Sequence, residues 1–272
     1  MQKVILVVGA SSGFGFELTQ VLLKRGHIVY AVARHVDKMK PLHELGAHVM
    51  AMDVTDQKTI NDCINVMIKN HHKIDILFNN AGYGQYGPVD LDRYDEIKSM
   101  YDVNLFGAAR VNHAVLPHMR KQKSGRIIIT GSLVSNLSLP GLGWYASTKH
   151  ALRAMTEALR MEVMPFGIKV IQIEPGAVKT GFEKIAVPSI KDVSYDQDYA
   201  QLMQSFDGFI QDAYKHAPSV SSTLKAMQKA AFKKRPKWVY RTTLDAKFSP
   251  IFKQLIGLRI SSSIIQKKIK KY

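Results

Sequence analysis

Short apolar runs alternate with longer stretches of helical periodicity over the first two thirds of the chain, and this alternation limits the fold more than any other feature. The apolar runs are Lys3–Val8, His27–Ala33, His48–Met52, Ile74–Asn79, Arg126–Thr130 and Lys169–Ile173. Strands that are apolar almost throughout are typical of a parallel sheet covered on both faces. The segments between them, Gly15–Arg25, Lys58–Asn70, Tyr94–Gln122 and Tyr145–Met164, are long enough for crossover helices. The sequence therefore predicts an α/β fold with a doubly wound parallel sheet.

The alternation stops after Pro175. Residues 182–235 hold helical stretches and five aspartates between Asp192 and Asp212, which we interpret as a helical substrate cap. A late strand is expected around Lys237–Thr242, within a basic tail at residues 236–272. No segment has the composition of a linker. We therefore expect a single domain over residues 1–272, with a cofactor-binding and catalytic core at residues 1–181.

The positive charge of the chain is concentrated in its tail. The formal net charge is +16, of which residues 225–272 carry +13 with Asp245 as their only acid. A near-neutral body with a basic tail indicates that the tail, rather than the whole protein, is attracted electrostatically to another surface. Residues 249–272 have the composition of a helix on an anionic membrane surface, and equally of a terminal helix packed on the body. No recognition motif supports nucleic-acid binding.

Cysteine and histidine usage argues against disulfides and metals. Cys63 is the single cysteine, which fits a reducing compartment. The ten histidines form no ligand pattern, so we expect no metal site. The first apolar run is too short to span a membrane and lacks the layout of a signal peptide. We expect a cytoplasmic protein, with membrane association left open.

A glycine-rich turn follows the first predicted strand. The stretch "GASSGFGFEL" contains Gly9, Gly13 and Gly15, with Ser11 and Ser12 between them. A strand, a tight turn and a helix start present free N–H groups to an anionic ligand. The spacing G-x-x-x-G-x-G differs from the commoner G-x-G-x-x-G, and a purely structural turn is the alternative. Its position in the α/β pattern favours a dinucleotide site.

The end of the second strand bears on the choice of cofactor. An acid at this position accepts a hydrogen bond from the ribose 2′-hydroxyl in NAD-binding folds. Here the strand ends at Ala33 and is followed by Arg34. A guanidinium can bind a 2′-phosphate through a charge-assisted fork. We predict that NADP is preferred, with NAD left open and a solvated arginine as the alternative.

Three polar residues suggest carbonyl chemistry. Tyr145 and Lys149 are four residues apart in a predicted helix and therefore share a face, and Ser132 precedes Tyr145 by 13 residues. Together with the glycine turn and "NNAG" at residues 79–82, this set resembles the short-chain dehydrogenase/reductase family over about residues 3–181. The resemblance implies a Rossmann-like single domain and reversible hydride transfer between NAD(P) and an alcohol/carbonyl pair.

The resemblance also implies roles for individual residues. It assigns Gly9, Ser11, Gly13 and Gly15 to the cofactor loop, Asp53 to the adenine, Asn79, Asn80, Ala81 and Gly82 to the cofactor wall, and Pro175, Gly176 and Thr180 to the nicotinamide end. It assigns Asn104, Ser132, Tyr145 and Lys149 to a catalytic tetrad, with Lys149 also on the nicotinamide ribose and Asn104 supporting a water. The alternatives are a capped turn for Ser132, a helix-interior amide for Asn104 and a turn start for Asp53.

The chemistry of this tetrad follows from its side chains. A free tyrosine has a pKa of about 10, and a neighbouring cation lowers it. We therefore expect Lys149 to lower the pKa of Tyr145, which serves as acid and base. Ser132 can hold the carbonyl oxygen by a hydrogen bond that strengthens as negative charge develops.

The expected substrate is hydrophobic. The loop "LVSNLSLPGLGW" before Tyr145 is mostly apolar, and Tyr83, Tyr86 and Phe182 are expected near the same strand ends. The passage "KKRPKWVYRTTLDAKFSPIFKQLI" loosely resembles the steroid- and retinol-dehydrogenase-like branch of the family, which implies a lipophilic carbonyl or alcohol. Two rivals remain open: a non-catalytic NADP-binding regulator, and a basic membrane- or nucleic-acid-associated adaptor. The family often forms homo-oligomers, and the sequence leaves this open here.

Overall fold

A parallel sheet forms the centre of the computed structural model, which describes residues 1–91, 93–180 and 197–272, apart from the side chains of residues 249–254 and 256. The strands are β1 (Val4–Val8), β2 (Ile28–Ala33), β3 (His48–Ala51), β4 (Ile76–Asn79), β5 (Gly125–Thr130), β6 (Ile168–Glu174) and β7 (Val239–Arg241). Their order across the sheet is β3-β2-β1-β4-β5-β6-β7 and every pairing is parallel. The predicted doubly wound α/β fold is confirmed. Strands β2 and β3 are added on one side of β1, and strands β4 to β7 on the other. This reversal of the strand order between β1 and β4 opens a crevice at their carboxyl ends.

Helices cover both faces of the sheet. They are α1 (Gly13–Lys24), α2 (Lys40–Glu44), α3 (Gln57–His71), α4 (Tyr94–Tyr101), α5 (Ala108–Gln122), α6 (Gly143–Val163), α7 (Gln197–Lys215), α8 (Ser221–Phe232) and α9 (Leu244–Ile269). One core lies between the sheet and helices α3, α5 and α6, and the other between the sheet and helices α1, α2 and α8. Successive strand residues alternate between these cores, as for Ile5 and Leu6. Burial on both faces explains the continuous apolar runs.

One predicted helix is interrupted by a wider turn. The sequence predicts a helix over Tyr94–Gln122, whereas the structure has a π-helical turn at Asp102–Gly107 between α4 and α5. A π turn adds one residue to the helical cycle and is frequent at functional sites. Here it contains Asn104, which is fully buried and hydrogen-bonded. Periodicity alone did not reveal this turn.

A third apolar cluster lies over the carboxyl edge of the sheet. Its buried members are Tyr86, Met100, Val134, Leu142, Tyr145, Ala146, Met203, Phe206, Ile210 and Ile269. Helix α7, from the predicted cap segment, supplies Met203, Phe206 and Ile210, and helix α9 supplies Ile269. Residues 181–196 of that segment, including Phe182, lie outside the described residues. Helix α8 of the same segment packs on the sheet.

The basic tail adds a strand and a kinked helix. Strand β7 lies within the predicted late strand and pairs with β6. Helix α9 is interrupted at Gly257, which has φ 72° and ψ 167°. Within the part of the chain that the structure describes, no helix combines the length and the apolar character that crossing a bilayer requires.

Candidate active site

The glycine turn is shaped by close contact between backbone segments. Gly9 has φ 77°, and a methyl group added to it would lie 2.9 Å from the backbone nitrogen of Ala81. A methyl group on Gly15 would overlap the carbonyl oxygen of Gly9. Ser12 is the residue before α1 and has extended backbone angles. The predicted sequence of strand, tight turn and helix start is present, and it places Gly9 beside Ala81 in the segment that follows β4.

The "NNAG" segment continues directly from β4. The Asn79 amide nitrogen donates to the carbonyl oxygen of Ala108 at 3.1 Å, which joins the end of β4 to α5. The Asn80 carboxamide oxygen accepts from Thr130 Oγ1 at 2.5 Å. Together, these bonds fix the ends of β4 and β5, where the crevice opens.

Asn104 fixes the loop that follows this segment. Its Oδ1 accepts from the backbone nitrogen of Tyr83 at 2.9 Å, and its Nδ2 donates to the Tyr83 carbonyl oxygen at 2.8 Å and to Thr148 Oγ1 at 3.2 Å. A methyl group on Gly82 would lie 2.9 Å from Asn104 Oδ1 and 3.4 Å from Lys149 Nζ. The predicted Asn104, Gly82 and Lys149 therefore lie together.

Ser132, Tyr145 and Lys149 converge where β5 ends and α6 begins. Ser132 precedes the turn Leu133–Ser135, its Oγ accepts from the backbone nitrogen of Val134 at 3.3 Å, and its hydroxyl is hydrogen-bonded to the phenol of Tyr145. The Lys149 ammonium lies 5.8 Å from the centre of the Tyr145 ring and donates to the Thr130 carbonyl oxygen at 3.2 Å. A hydroxyl, a phenol and an ammonium are thus within reach of one small ligand.

Burial moves the proton affinities of the phenol and the amine in opposite directions. Desolvation raises the pKa of Tyr145 above its ordinary value, the nearby Tyr214 adds to this rise, and the hydrogen bond from Ser132 opposes it. Desolvation lowers the pKa of Lys149 to about 8. Our expectation of a lowered Tyr145 pKa is therefore wrong for the protein by itself, because burial of the phenol outweighs the hydrogen bond from Ser132, which is the influence that lowers this pKa.

The predicted adenosine end lies beyond β2 and β3. Arg34 is exposed and directly follows β2. Burial opposes ionisation of Asp53, but hydrogen bonds from the Thr55 nitrogen and hydroxyl, together with the charges of Arg34 and Arg110, hold the pKa of Asp53 below its ordinary value. Asp53 is therefore an anion within the field of Arg34. These hydrogen bonds from Thr55 are also those expected of Asp53 as the first residue of a turn, which was the alternative interpretation.

The segment after β6 closes the site from the opposite side. The Pro175 carbonyl oxygen accepts from the backbone nitrogen of Leu133 at 2.7 Å, and the backbone nitrogen of Gly176 donates to Thr243 Oγ1 at 2.9 Å. A methyl group on Gly13 would lie 3.4 Å from Thr180 Cβ. Pro175 is thus tied to the turn after Ser132, and Thr180 lies over the glycine turn.

Sequence reasoning missed Glu174 as a structural anchor of the site. Its side chain is fully buried, and its Oε2 accepts from Asn136 Nδ2 and from Arg241 Nε, each at 3.0 Å. It therefore joins the turn after Ser132 to β7. The signal was the acid directly before Pro175 at the end of an apolar strand, where a buried carboxylate requires a partner.

Sequence reasoning also missed Tyr214 of α7. Its side chain belongs to the apolar cluster around Tyr145 and is hydrogen-bonded to Tyr86. The available signal was the spacing of Met203, Phe206, Ile210 and Tyr214, which recur every three or four residues along one face of α7.

The arrangement fits a dinucleotide. The glycine contacts keep the turn free of side chains beside the start of α1, where backbone N–H groups favour a pyrophosphate. Arg34 and Asp53 lie at the ends of β2 and β3, and Lys149 lies at the ends of β4 and β5. These groups follow the carboxyl edge of the sheet from the adenosine side to the tyrosine, as an extended ligand in the crevice requires.

Comparison with known proteins agrees with this geometry. The sequence profile described as short chain dehydrogenase matches residues 3–189. A 3-ketodihydrosphingosine reductase of Bacteroides thetaiotaomicron is 38% identical over 181 residues, which are 66% of this chain and 65% of the relative. The match thus spans slightly less than two thirds of that relative's own length.

Two further similarities extend over nearly the whole chain. An NADPH-dependent 3-dehydrocapnine reductase of Ornithobacterium rhinotracheale is 29% identical over 98% of this chain and 97% of its own length. The crystal structure of a short-chain dehydrogenase from Streptomyces avermitilis superposes with a TM-score of 0.82 at 27% identity, covering 98% of this chain and 96% of that one. With the profile match, the parallel sheet and the convergence of Ser132, Tyr145 and Lys149, the conclusion is that this chain belongs to the short-chain dehydrogenase/reductase family of NAD(P)-dependent oxidoreductases.

Proposed function

We propose that this protein is an NADPH-dependent reductase of a ketone carried on a long apolar chain, with Tyr145 as the proton donor. The observation that carries the proposal is the position of Tyr145, which is hydrogen-bonded to Ser132 and enclosed by the apolar cluster of α6, α7 and α9. An apolar enclosure around a few polar groups is what a lipophilic carbonyl compound requires. Two relatives are named reductases of 3-ketodihydrosphingosine and of 3-dehydrocapnine, which supports the direction and the substrate class.

The proposed mechanism assigns one task to each side chain. The chemistry that a bound nicotinamide supplies is a hydride for the carbonyl carbon. Ser132 and Tyr145 hold the carbonyl oxygen, and the phenolic proton passes from Tyr145 Oη to this oxygen as its negative charge develops, which gives an alcohol. Lys149 stabilises the phenolate that remains on Tyr145 and holds the ribose of the cofactor. Asn104 keeps the Tyr83 loop in place beside them.

The proton affinity of Tyr145 suits reduction. Burial raises the pKa of Tyr145, so the phenol carries its proton near neutral pH. A group that holds a proton in the resting state is ready to act as an acid. Oxidation of the alcohol instead requires the phenolate, which this environment disfavours, and it is expected to be faster at alkaline pH.

Arg34 is the basis of the proposed NADPH preference. It is exposed at the end of β2, and among the described residues the nearby acid is Asp53, which is bonded to Thr55. The Arg34 guanidinium can therefore turn toward a 2′-phosphate while Asp53 keeps its hydrogen bonds to Thr55. The name of the Ornithobacterium relative, which contains NADPH, agrees with this preference.

The test is oxidation of NADPH and NADH, followed at about 340 nm, with 3-ketodihydrosphingosine and a series of alkyl ketones. We expect turnover with NADPH and rates that rise with chain length. Tight NADPH binding without turnover on any ketone would reject the reductase and favour the non-catalytic regulator. Turnover that ignores chain length would reject the lipophilic substrate.

We also propose that the second half of α9 rests on an anionic membrane surface. Ile260 is 57% exposed and Ile264 is 43% exposed, and they lie one turn apart with Lys267 following on the same stripe. The opposite stripe, with Ser261 and Ile269, is buried against the body. No acid follows Asp245 in the sequence. Apolar side chains beside lysines are the composition of an interfacial helix, and each lysine near an anionic surface contributes about 1 kcal/mol.

Sedimentation with vesicles tests this second proposal. Wild-type protein is expected to bind phosphatidylserine vesicles and not phosphatidylcholine vesicles at low salt. The double variant Lys267→Glu and Lys271→Glu is expected to bind more weakly by at least about tenfold per lysine. The control is Lys58→Glu and Lys69→Glu on the distant helix α3, which should bind as wild type does. Equal binding by both double variants would contradict the proposal.

A further inference from the structure

The turn that carries Ser132 is bonded to the end of β6 on both sides of this residue. The backbone nitrogen of Gly131 donates to the Ile173 carbonyl oxygen at 2.8 Å, and the backbone nitrogen of Leu133 donates to the Pro175 carbonyl oxygen at 2.7 Å. These two bonds fix the start of the turn against the sheet.

The far end of the turn is held by a side chain. Asn136 ends the turn and is 8% exposed, and its Nδ2 donates to Oε2 of Glu174 at 3.0 Å. Glu174 is fully buried, and the same oxygen accepts from Nε of Arg241 at 3.0 Å, which compensates the charge of the carboxylate. Because its acceptor is ionised and shielded from water, the bond from Asn136 is stronger than one between neutral groups.

Hydrogen bonds within the turn connect Asn136 to Ser132. The backbone nitrogen of Asn136 donates to the Leu133 carbonyl oxygen at 3.2 Å. The backbone nitrogen of Ser135 donates to the Ser132 carbonyl oxygen at 3.0 Å, and the backbone nitrogen of Ser132 donates to Ser135 Oγ at 3.1 Å. A displacement of Asn136 is therefore transmitted to Ser132 over a short and closed set of bonds.

The polar residues of β6 that meet this turn are unfavourable for the strand itself. Gln172 and Glu174 are both fully buried, in a strand whose other buried residues are apolar. Neither polar atom of the Gln172 side chain has a hydrogen-bond partner among the described residues, and its Nε2 lies 2.5 Å from the place that a methyl group on Gly131 would take. Apolar side chains of similar volume would fill these positions at least as stably. The polar side chains therefore define the geometry of the turn at a cost in stability.

We propose that Asn136 is a positioning residue for the reduction, which holds the Ser132 hydroxyl in place through its bond to Glu174. The inference rests on the proposed reductase function and adds to it two residues that act through Ser132. The hydroxyl of Ser132 must meet both the Tyr145 phenol and the oxygen on which charge develops, and a misplacement of about 1 Å can lower a rate by about 100-fold. Loss of the Asn136–Glu174 bond is expected to lower kcat and to leave the dissociation constant of NADPH unchanged.

A double-mutant cycle tests whether Asn136 acts through Ser132. With 3-ketodihydrosphingosine and NADPH, Asn136→Ala is expected to lower kcat by about 10–100-fold. In protein that already carries Ser132→Ala, the same change is expected to leave the residual kcat unaltered, because the hydroxyl that Asn136 positions is absent. A residue that only stabilises the fold would lower kcat by the same factor in both backgrounds, and that result would overturn the proposal.

An exchange of the two side chains tests the hydrogen bond itself. Asn136→Asp alone places a second carboxylate opposite Glu174 and is expected to lower kcat at least as much as Asn136→Ala does. Adding Glu174→Gln supplies an amide donor to the new carboxylate and keeps one negative charge near Arg241, so most of the lost kcat should return. No recovery of kcat in this folded double variant would also overturn the proposal.

Gln122→Ala is the matched control. This amide also ties the end of a helix to the sheet, since its Oε1 accepts from the Ile74 nitrogen at 2.9 Å and its Nε2 donates to the Ile74 carbonyl oxygen at 3.0 Å, at the edge where β4 begins. It should lower the melting temperature and leave kcat unchanged, and a fall in kcat equal to that of Asn136→Ala would count against positioning. No turnover by wild-type protein with NADPH bound would overturn the reductase and the positioning role together. Turnover with an additive cycle would overturn the positioning role alone.

Discussion

The cofactor side and the substrate side of the site are built from different parts of the chain. On the cofactor side, backbone packs against backbone, as where a methyl group on Gly9 would lie 2.9 Å from the nitrogen of Ala81. On the substrate side, large side chains from α6, α7 and α9 fill the space. Backbone contacts leave no room for any side chain, whereas side-chain contacts accept changes that conserve volume. The residues of the cofactor side therefore tolerate few substitutions. The side chains of the substrate side can be replaced by others of similar volume, so this side can adapt to different substrates.

The largest expected effect separates chemistry from cofactor binding. Tyr145→Phe removes the phenolic proton and keeps the ring in its apolar cluster. Acid catalysis contributes about 10²–10⁴-fold, so kcat should fall by about a thousandfold while the NADPH dissociation constant, followed by cofactor fluorescence, stays unchanged. Tyr101→Phe is the control, because the Tyr101 hydroxyl also contacts α6 but donates to Ser147 rather than to Ser132 or Tyr145. Retained turnover in Tyr145→Phe would mean that another group donates the proton.

The next effect tests the rigidity of the cofactor side. In Gly15→Ala the added methyl group would overlap the Gly9 carbonyl oxygen, so β1 and α1 must separate. Overpacking of this kind costs about 3 kcal/mol, which corresponds to a fall in Tm of about 6–12 °C for a chain of this size. Gly87→Ala is the matched control, since no atom lies within 4 Å of its added methyl group. Equal melting temperatures in calorimetry for the two variants would contradict the close packing of β1 and α1.

A third effect concerns the preference for NADPH over NADH on the cofactor side of the site. Arg34→Asp replaces the guanidinium at the end of β2 with a carboxylate that repels a 2′-phosphate. A charge-assisted hydrogen bond is worth about 1.5–3 kcal/mol, so the affinity for NADPH should fall by about 10–100-fold while that for NADH changes little. Titration of both cofactors measures this ratio. If the ratio is the same in wild type and variant, the preference does not come from Arg34.

The smallest effect is a pH dependence where the two sides meet. Desolvation lowers the pKa of Lys149 to about 8, and the charged ammonium is the form that stabilises the Tyr145 phenolate. Activity in ketone reduction is therefore present below this pKa and declines as the pH rises through about 8. Lys149→Arg keeps its charge over this range, so its decline should move to higher pH. A flat profile of kcat/KM up to about pH 10 for wild-type protein would show that the charge of Lys149 is not needed.

The cofactor side was predictable because its requirements are local. The positive φ of Gly9 and Gly13 belongs to the turn itself, Gly15 approaches Gly9 within the same turn, and Tyr145 and Lys149 are brought together by one helix. The turn at Asp102–Gly107 was missed, because a single inserted residue leaves the apolar periodicity of the flanking helices intact. Tyr214 was missed because its neighbour Tyr86 is far away along the chain, and no local pattern records such a pairing.

The sequence by itself determined the doubly wound sheet and the order of the cofactor elements. Apolar periodicity and glycine spacing are enforced by backbone geometry over short distances, so they can be recognised in one dimension. The tertiary structure alone decided the direction of the Tyr145 pKa, the buried link from Glu174 to Arg241 and the meeting of Tyr86 with Tyr214. Desolvation and long-range hydrogen bonds depend on which segments pack together, and that is fixed only once the whole chain has folded.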